Sequence, residues 1–308
     1  MRKLQRSLLE SIGETPLVEL SRFLPADVPG RILAKLEYLN PGSSKKDRIA
    51  LQMIEDAECD GRLLPGRTVV ELTSGNTGTG LAIVCAVKGY PFVAVMSAGN
   101  SVERARMMRG LGAEVVLVPQ APGSIVGQVS GDDLALVEEM TVQIVRERGA
   151  FRADQFRLHS NFRAHYLHTG PEILQQSPYP VDVFVDFAGT GGTFAGCAAA
   201  LKEANAATRC FLVEPEHPQH QIQGGGYGMD LSPQLRPEDV DGVIRVGDDE
   251  AIECTRRLAR TEGIFAGFSS GANLAAALRL LRGDYPGATA VVAICDSGLK
   301  YLSTSLWV

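Results

Sequence analysis

The sequence predicts an α/β protein built on parallel β-sheets, because short apolar runs alternate with amphipathic segments in two separate series. The first series places strands and helices in turn at residues 68–72, 77–87, 92–96, 102–111, 114–118 and 134–148. The second series has apolar strand-like runs at 181–187, 210–214, 243–246 and 288–295, again separated by helical segments. Alternation of this kind is typical of βαβ units, whose strands pair in parallel.

Local signals support two helices of the first series. Ser101 is a predicted N-cap with Glu103 in the first turn, and Asp132 is the predicted N-cap of the helix that ends at Gly149. Further helices are expected from Phe194, Asp249 and Ser270, and the chain of 308 residues suffices for one large or two medium α/β domains.

Composition excludes several classes of protein. The net charge of −6 comes from interspersed acids and bases, which argues against binding to nucleic acid. The six cysteines form no CxxC pair, and the five histidines lack the carboxylate or cysteine neighbours of a metal site, so no metal is expected. The amino-terminal segment lacks a signal-peptide pattern, and the longest apolar stretches are too short to cross a membrane. These features predict a cytoplasmic protein.

The first segment with chemical character is NPGSSKKDR, residues 40–48. A proline–glycine turn leads into a predicted helix start at Ser43 or Ser44. The positive end of that helix and the neighbouring Lys45 both favour a neutral amine on Lys46, the form that reacts with carbonyl groups. The alternative is a basic first turn exposed to solvent.

Two further segments follow predicted strands directly. TSGNTG, residues 73–78, combines hydroxyl groups with a helix N-terminus and predicts a cradle for a carboxylate. GTGGT, residues 189–193, has glycines that let the backbone approach a phosphate, but its spacing fits neither GxGxxG nor GxxxxGK[ST]. The alternatives are a capped turn and a plain glycine turn.

Together these segments resemble the cysteine synthase and cystathionine β-synthase family of fold-type II pyridoxal-phosphate enzymes. The resemblance extends through nearly the whole chain and includes IGETPLV at 12–18, TGPEI at 169–173, IQG at 222–224, GFSSG at 267–271 and YLST at 301–304. It implies an α/β fold of two open-sheet, three-layer domains with the cofactor in the cleft between them. The smaller, mobile domain would comprise residues 39–153, and the larger domain residues 1–38 and 154–308, which carry the phosphate loop.

The resemblance also implies the roles of individual residues. Lys46 would be the catalytic lysine that carries the cofactor, and Lys45 stands where the family usually has an apolar residue. Asn76 would face the ring O3′ and Ser269 the pyridine nitrogen. The remaining cofactor contacts would come from the phosphate loop, Gly189, Thr190, Gly191, Gly192 and Thr193. The substrate carboxylate would be held by Thr73, Ser74, Thr77 and Gln155.

A neutral hydroxyl such as that of Ser269 stabilises a protonated ring nitrogen less than an aspartate would, which favours elimination over transamination. The implied activity is replacement at the β-carbon of an O-activated L-serine, O-acetylserine or O-phosphoserine, by sulfide or a similar nucleophile. It would give L-cysteine or an analogue through an aminoacrylate intermediate. The alternatives are a pyridoxal-phosphate lyase, dehydratase or racemase, and a catalytically idle homologue that binds a ligand or partner. A homodimer is the usual state of the family.

Three segments depart from the family pattern. Residues 95–104 read VMSAGNSVER, the loop 119–133 is longer than usual, and residues 224–228 read GGGYG, with Tyr227 near the expected mouth of the pocket. All three are expected to border the substrate, and they leave the nucleophile and the leaving group open.

Overall fold

A computed structural model describes residues 4–125, 127–223, 225–226 and 234–307, and its strands form two separate sheets. The strands of the larger sheet are β1 (Leu17–Glu19), β2 (Arg31–Lys35), β7 (Val183–Phe187), β8 (Arg209–Pro215), β9 (Gly242–Val246) and β10 (Thr289–Ala293). Their order is β1-β2-β10-β7-β8-β9, with β1 antiparallel to β2 and the other neighbours parallel.

The smaller sheet is parallel, in the order β5-β4-β3-β6. Its strands are β3 (Val69–Leu72), β4 (Phe92–Ser97), β5 (Glu114–Val118) and β6 (Phe151–Arg152). All four lie within the segment 39–153 that the sequence analysis assigns to the smaller domain.

Nine α-helices lie within the residues that the structure describes: α1 (Lys46–Cys59), α2 (Asn76–Lys88), α3 (Val102–Gly110), α4 (Gly131–Arg148), α5 (Ser160–Ala164), α6 (Gly170–Gln176), α7 (Gly192–Ala204), α8 (Asp248–Glu262) and α9 (Phe268–Arg282). A π-helical turn, His165–Thr169, joins α5 to α6. Short 3₁₀ turns occur at Leu8–Ser11, Glu37–Leu39, Pro237–Asp239 and Gly298–Tyr301.

Helices cover both faces of each sheet. Val185 of β7 packs in a core with α8 and α9, whereas the adjacent Phe184 packs in a core with α7. In the smaller sheet Val69 faces α1, α2 and α3, and Val70 faces α4. Since successive side chains of a strand point to opposite faces, each buried strand contributes to two cores. The predicted three-layer α/β architecture is confirmed.

The starts of α1 and α4 differ from the sequence predictions, and the start of α3 lies where it was predicted but is not capped by its serine side chain. The prediction that α1 starts at Ser43 or Ser44 is wrong, because Ser43 has a φ of +59° and the helix begins at Lys46. Ser130, not Asp132, caps α4, because its hydroxyl accepts from the backbone of Asp133, whose carboxylate in turn accepts from the backbone of Ser130. Ser101 stands at the N-cap of α3, but its hydroxyl donates to the Lys300 carbonyl instead of capping the helix.

Four buried strands end at one shared region. The residues that follow β3, β4, β7 and β10 line a common cavity, as expected for ligand sites at the carboxyl ends of parallel strands. Across the described ranges, no helix is both long and apolar enough to span a lipid bilayer.

Candidate active site

The cavity at the strand ends has a volume of about 150 Å³ and collects most of the residues that the sequence analysis selected. Its lining includes Lys46, Thr73, Ser74, Asn76, Thr77, Gln155, Gly189, Thr190 and Ser269. The other three predicted residues, Gly191, Gly192 and Thr193, lie at the start of α7 and are buried behind the lining.

Lys46 is the first residue of α1, and its side chain extends into the cavity. Its Nζ donates to the Thr190 hydroxyl at 3.1 Å. Burial, followed by the nearby Lys45 ammonium group, lowers the pKa of Lys46 to about 7, although Asp186 and Cys295 oppose the shift. An amine with this pKa is partly neutral near neutral pH and can act as a nucleophile or base.

Lys45 is the residue before α1, and its environment differs from that of its neighbour. It is buried, and its Nζ donates to both carboxylate oxygens of Asp186 at 2.7 and 2.8 Å. Burial opposes the charge of Lys45, but the facing Asp186 carboxylate outweighs it and raises the pKa of Lys45. The alternative of a solvent-exposed basic turn is therefore wrong, and the pKa values of the two adjacent lysines are shifted in opposite directions.

A buried cluster of charged residues anchors the first turn of α1. The Arg48 guanidinium donates to Glu37 at 2.7 and 2.8 Å and to Glu172 at 2.7 Å from each of two nitrogens. Lys35 also donates to Glu172, at 2.6 Å. Paired charges that are fully hydrogen-bonded fix geometry because breaking one partner leaves the other buried and unpaired.

The turn at residues 189–193 presents backbone N–H groups that are available to an anion. No N–H group of this turn donates to an acceptor within the described ranges, and the turn leads directly into α7. Gly191 has a φ of +76°, and a Cβ on Gly192 would overlap the Asn161 side chain. Asn161 in turn donates to the Thr190 hydroxyl at 2.7 Å. Only glycine fits these positions, so the sequence pattern follows from the geometry.

The turn before α2 has a similar build. The Thr73 hydroxyl accepts from the backbone of Gly75 and Gly78, both at 2.9 Å, and so stabilises the turn itself. Thr77 donates to Gln155 at 2.5 Å. The Ser74 hydroxyl and the backbone N–H groups of residues 74, 76 and 77 have no partner among the described residues. These groups are the donors available to a carboxylate.

Asn76 is fixed at both ends of its amide by residues that the sequence analysis missed. Its Nδ2 donates to Asp296 at 2.7 Å, and its Oδ1 accepts from the Lys300 Nζ at 2.8 Å. Tyr301 donates to the same Asp296 oxygen at 2.7 Å. Burial lowers the pKa of Lys300 to about 8, against the charges of Asp296 and Asp47. The available signal was the position of Asp296 shortly after the buried strand β10.

Ser269 lies in the first turn of α9, at the side of the cavity next to Cys295. Burial raises the pKa of Cys295 to about 12, although Lys45 and a hydrogen bond with Ser269 act in the opposite direction. The thiol is therefore protonated at neutral pH and is not a nucleophile.

Two of the atypical segments contribute polar groups to the cavity, Asn100 and Gln128, and the residues just before the GGGYG loop contribute His220 and Gln223. His220 Nδ1 and Gln223 Oε1 are buried without a hydrogen-bond partner in the part of the chain that the structure describes. Gly224, Tyr227 and Gly228 lie outside the described residues. Gly225 and Gly226, the two described residues of the GGGYG loop, line the cavity, which supports the prediction that this loop borders the substrate.

The comparisons with known proteins agree with this site. Residues 8–296 match the family described as pyridoxal-phosphate dependent enzyme. The chain is 40% identical to a cysteine synthase of Staphylococcus aureus, over 98% of this chain and 96% of the relative. The chain belongs to the family of pyridoxal-phosphate dependent enzymes, and its cofactor is pyridoxal phosphate.

Two solved structures are also similar. An O-ureido-L-serine synthase superposes with a TM-score of 0.89 at 38% identity, covering 99% of this chain and 96% of that one. A cysteine synthase of Entamoeba histolytica superposes with a TM-score of 0.90 at 34% identity, covering 99% and 91%. The resemblance stated from the motifs and the fold-type II architecture are confirmed.

The residues present fit this cofactor. An aldehyde needs a neutral amine, which Lys46 supplies, and a phosphate needs unpaired N–H donors, which residues 189–193 supply. A pyridine ring needs polar groups at its oxygen and nitrogen, and Asn76 and Ser269 line the same cavity. Among the described residues, no group of three or more metal-binding side chains is placed to hold a metal ion.

Proposed function

We propose that this enzyme catalyses β-replacement of the cysteine synthase type on an O-activated L-serine, with O-acetylserine as the first substrate and sulfide as the nucleophile. The named relatives support this chemistry. The bound cofactor supplies an electron sink that weakens the Cα–H bond and the bond from the β-carbon to its leaving group. The chain's own residues supply binding, orientation and proton transfer.

Lys46 is the proposed catalytic residue. When the substrate amine takes its place on the cofactor, the freed Lys46 amine removes the Cα proton and later returns a proton to the product. Thr190, which accepts from Lys46 at 3.1 Å, orients the amine. An ordinary lysine would be protonated at neutral pH, so the lowered pKa of Lys46 is the property that this role requires.

The groups proposed to bind the substrate are hydrogen-bond donors that have no partner among the described residues. Ser74 and the backbone N–H groups that open α2 hold the carboxylate, while Thr73, Thr77 and Gln155 shape and stabilise this turn. Asn76 and Ser269 contact the ring, and residues 189–193 hold the phosphate, with Gly191, Gly192 and Thr193 acting through the backbone.

One observation carries the proposal: a Lys46 amine of lowered pKa lies in hydrogen-bond contact with the turn that presents unpaired N–H donors. The test is a substrate screen with purified enzyme, using O-acetylserine, O-phosphoserine, serine and cysteine, each with and without sulfide. Cysteine formation that requires both O-acetylserine and sulfide supports the proposal. Pyruvate release at the same rate without sulfide would show a lyase instead.

A nucleophile that carries N–H or O–H groups is a second candidate. It is favoured by His220 Nδ1 and Gln223 Oε1, which are buried without partners among the described residues. Buried polar atoms without partners cost free energy, which a ligand with N–H or O–H groups would recover. One similar structure is named for an O-ureido product, whose ureido group carries such donors. If the nucleophile is of this kind, His220→Phe and Gln223→Leu raise its KM and leave turnover with sulfide unchanged.

We also propose a cytoplasmic homodimer in which residues 39–153 move toward the larger domain when substrate binds. Both features follow from family resemblance. Light scattering of the purified protein measures the mass of the assembly, and scattering profiles with and without O-acetylserine measure the closure.

A further inference from the structure

The Lys45–Asp186 pair joins the two segments that meet around the cofactor site. Lys45 directly precedes Lys46 at the start of α1, and Asp186 lies on β7, just before the turn at 189–193. The two residues are 141 positions apart in the sequence, and their ion pair links the start of α1 to the strand that precedes the turn at 189–193.

The pair is almost completely shielded from solvent. Lys45 is 8% exposed and Asp186 is 1% exposed. Asp186 Oδ1 also accepts from Asn273 at 3.4 Å, and the backbone N–H of Lys45 donates to the Cys295 carbonyl at 2.9 Å. A buried ion pair of this kind offers little net stability over apolar residues of similar size, but losing one partner is costly. The presence of such a pair directly beside Lys46 therefore points to a role beyond stability.

We propose that Lys45, held by Asp186, is a positioning residue that keeps a fixed positive charge beside Lys46 and thereby maintains Lys46 as a neutral amine. The inference rests on the proposed role of Lys46. It explains why two adjacent lysines do not compete for the cofactor: one is fixed and charged, and the other is free to react.

The titratable groups that face Lys46 from the elements packed around it are Lys45, Asp186, Cys295 and His165. The Lys45 charge disfavours protonation of Lys46 and the Asp186 carboxylate favours it, whereas the Cys295 thiol is neutral at this pH. The neutral His165 behind the phosphate turn has its own pKa lowered by burial and by the surrounding cations, Lys46 included. Removing only the charge of Lys45 therefore leaves Asp186 as an unbalanced anion near Lys46.

The test compares three variants of the full chain: Lys45→Gln, whose amide can still donate to Asp186, Lys45→Arg, and the double variant Lys45→Gln with Asp186→Asn. The probe is the rate at which cofactor-free protein captures pyridoxal phosphate, followed by absorbance from pH 5 to about 9, a range centred on the Lys46 pKa. Borohydride reduction and peptide mass analysis identify the lysine that carries the cofactor, and urea unfolding reports stability.

Lys45→Gln is expected to shift the midpoint of the capture profile upward by about one pH unit, the size of a single-charge effect on a buried group. The double variant returns most of the way to the wild-type profile, because both charges are gone, and Lys45→Arg keeps that profile. Profiles of Lys45→Gln and wild type that coincide would overturn the inference, even if the variant is less stable. Absence of cofactor on Lys46 in the wild type would instead overturn the proposed function.

Discussion

The Lys46 Nζ lies 3.1 Å from the Thr190 hydroxyl, although 144 residues separate them in the sequence. This contact joins the start of α1 to the turn that follows β7. A second contact holds it in place, because Asn161 donates to the same Thr190 hydroxyl at 2.7 Å. The site is thus assembled from segments that only the folded chain brings together.

The first prediction concerns pH. Because only a neutral amine attacks an aldehyde, capture of pyridoxal phosphate by the cofactor-free wild type should rise with pH and level off above about 7, the pKa of Lys46. Below this value the rate should fall about tenfold per pH unit. A stopped-flow absorbance series measures the profile, and a midpoint near the ordinary lysine pKa would contradict the burial argument.

The second prediction concerns the phosphate turn. In Gly192→Ala the added Cβ overlaps the Asn161 side chain, which must shift and release Thr190. Overpacking of this kind costs about 1–3 kcal/mol, and a loss of 1.4 kcal/mol corresponds to about tenfold weaker cofactor binding. Equilibrium dialysis of pyridoxal phosphate measures the loss. Gly110→Ala, at the end of α3 with open space around it, is the control and should bind normally.

The third prediction concerns the substrate carboxylate. Ser74→Ala removes a hydroxyl that has no partner among the described residues, so the fold should be unaffected. Losing one hydrogen bond to a charged group costs about 1.5–3 kcal/mol, which corresponds to a KM raised by about tenfold or more. Steady-state kinetics separate KM from kcat. The control Ser303→Ala removes an exposed hydroxyl bonded to Glu103, and an equal effect there would refute the assignment.

The fourth prediction concerns the support of Asn76. Lys300→Met removes the donor to both the Asn76 amide oxygen and the Gly42 carbonyl, so the amide loses its fixed orientation. If Asn76 contacts the cofactor as proposed, its misplacement lowers kcat by about 10- to 100-fold. Lys88→Met, which breaks a partly exposed pair with Glu58, should change kcat little. Retained kcat in Lys300→Met would show that Asn76 needs no such support.

The sequence predicted the elements whose local pattern is strong. Strands β3, β4 and β5 and the turn at residues 189–193 lie where the apolar runs and glycines placed them, whereas β6, only two residues long, was not predicted. The sequence did not predict β1 and β2 either: the first is only three residues long, and the second carries charged residues at both ends, one of which is the buried Lys35. Burial of Lys35 depends on Glu172, and no local pattern reveals a partner so distant in sequence.

The candidate site likewise contains residues that could be predicted from the sequence and residues that could not. Motif residues such as Asn76 and Thr190 could be chosen from their turns, because strand ends followed by helix starts are sequence signals. Asp186 could not be chosen, since a carboxylate within an apolar strand looks unfavourable until the facing Lys45 is known. Helix α1 was placed too early because the left-handed backbone of Ser43 is not a usual property of serine.

The central claim is that Lys46, and not Lys45, carries the cofactor. The most direct measurement is borohydride reduction of the purified enzyme, followed by proteolysis and mass analysis of the peptide that contains both lysines. The account predicts the reduced cofactor mass on Lys46 alone, and its loss in Lys46→Ala. The same mass on Lys45, or full labelling of Lys46→Ala, would contradict it.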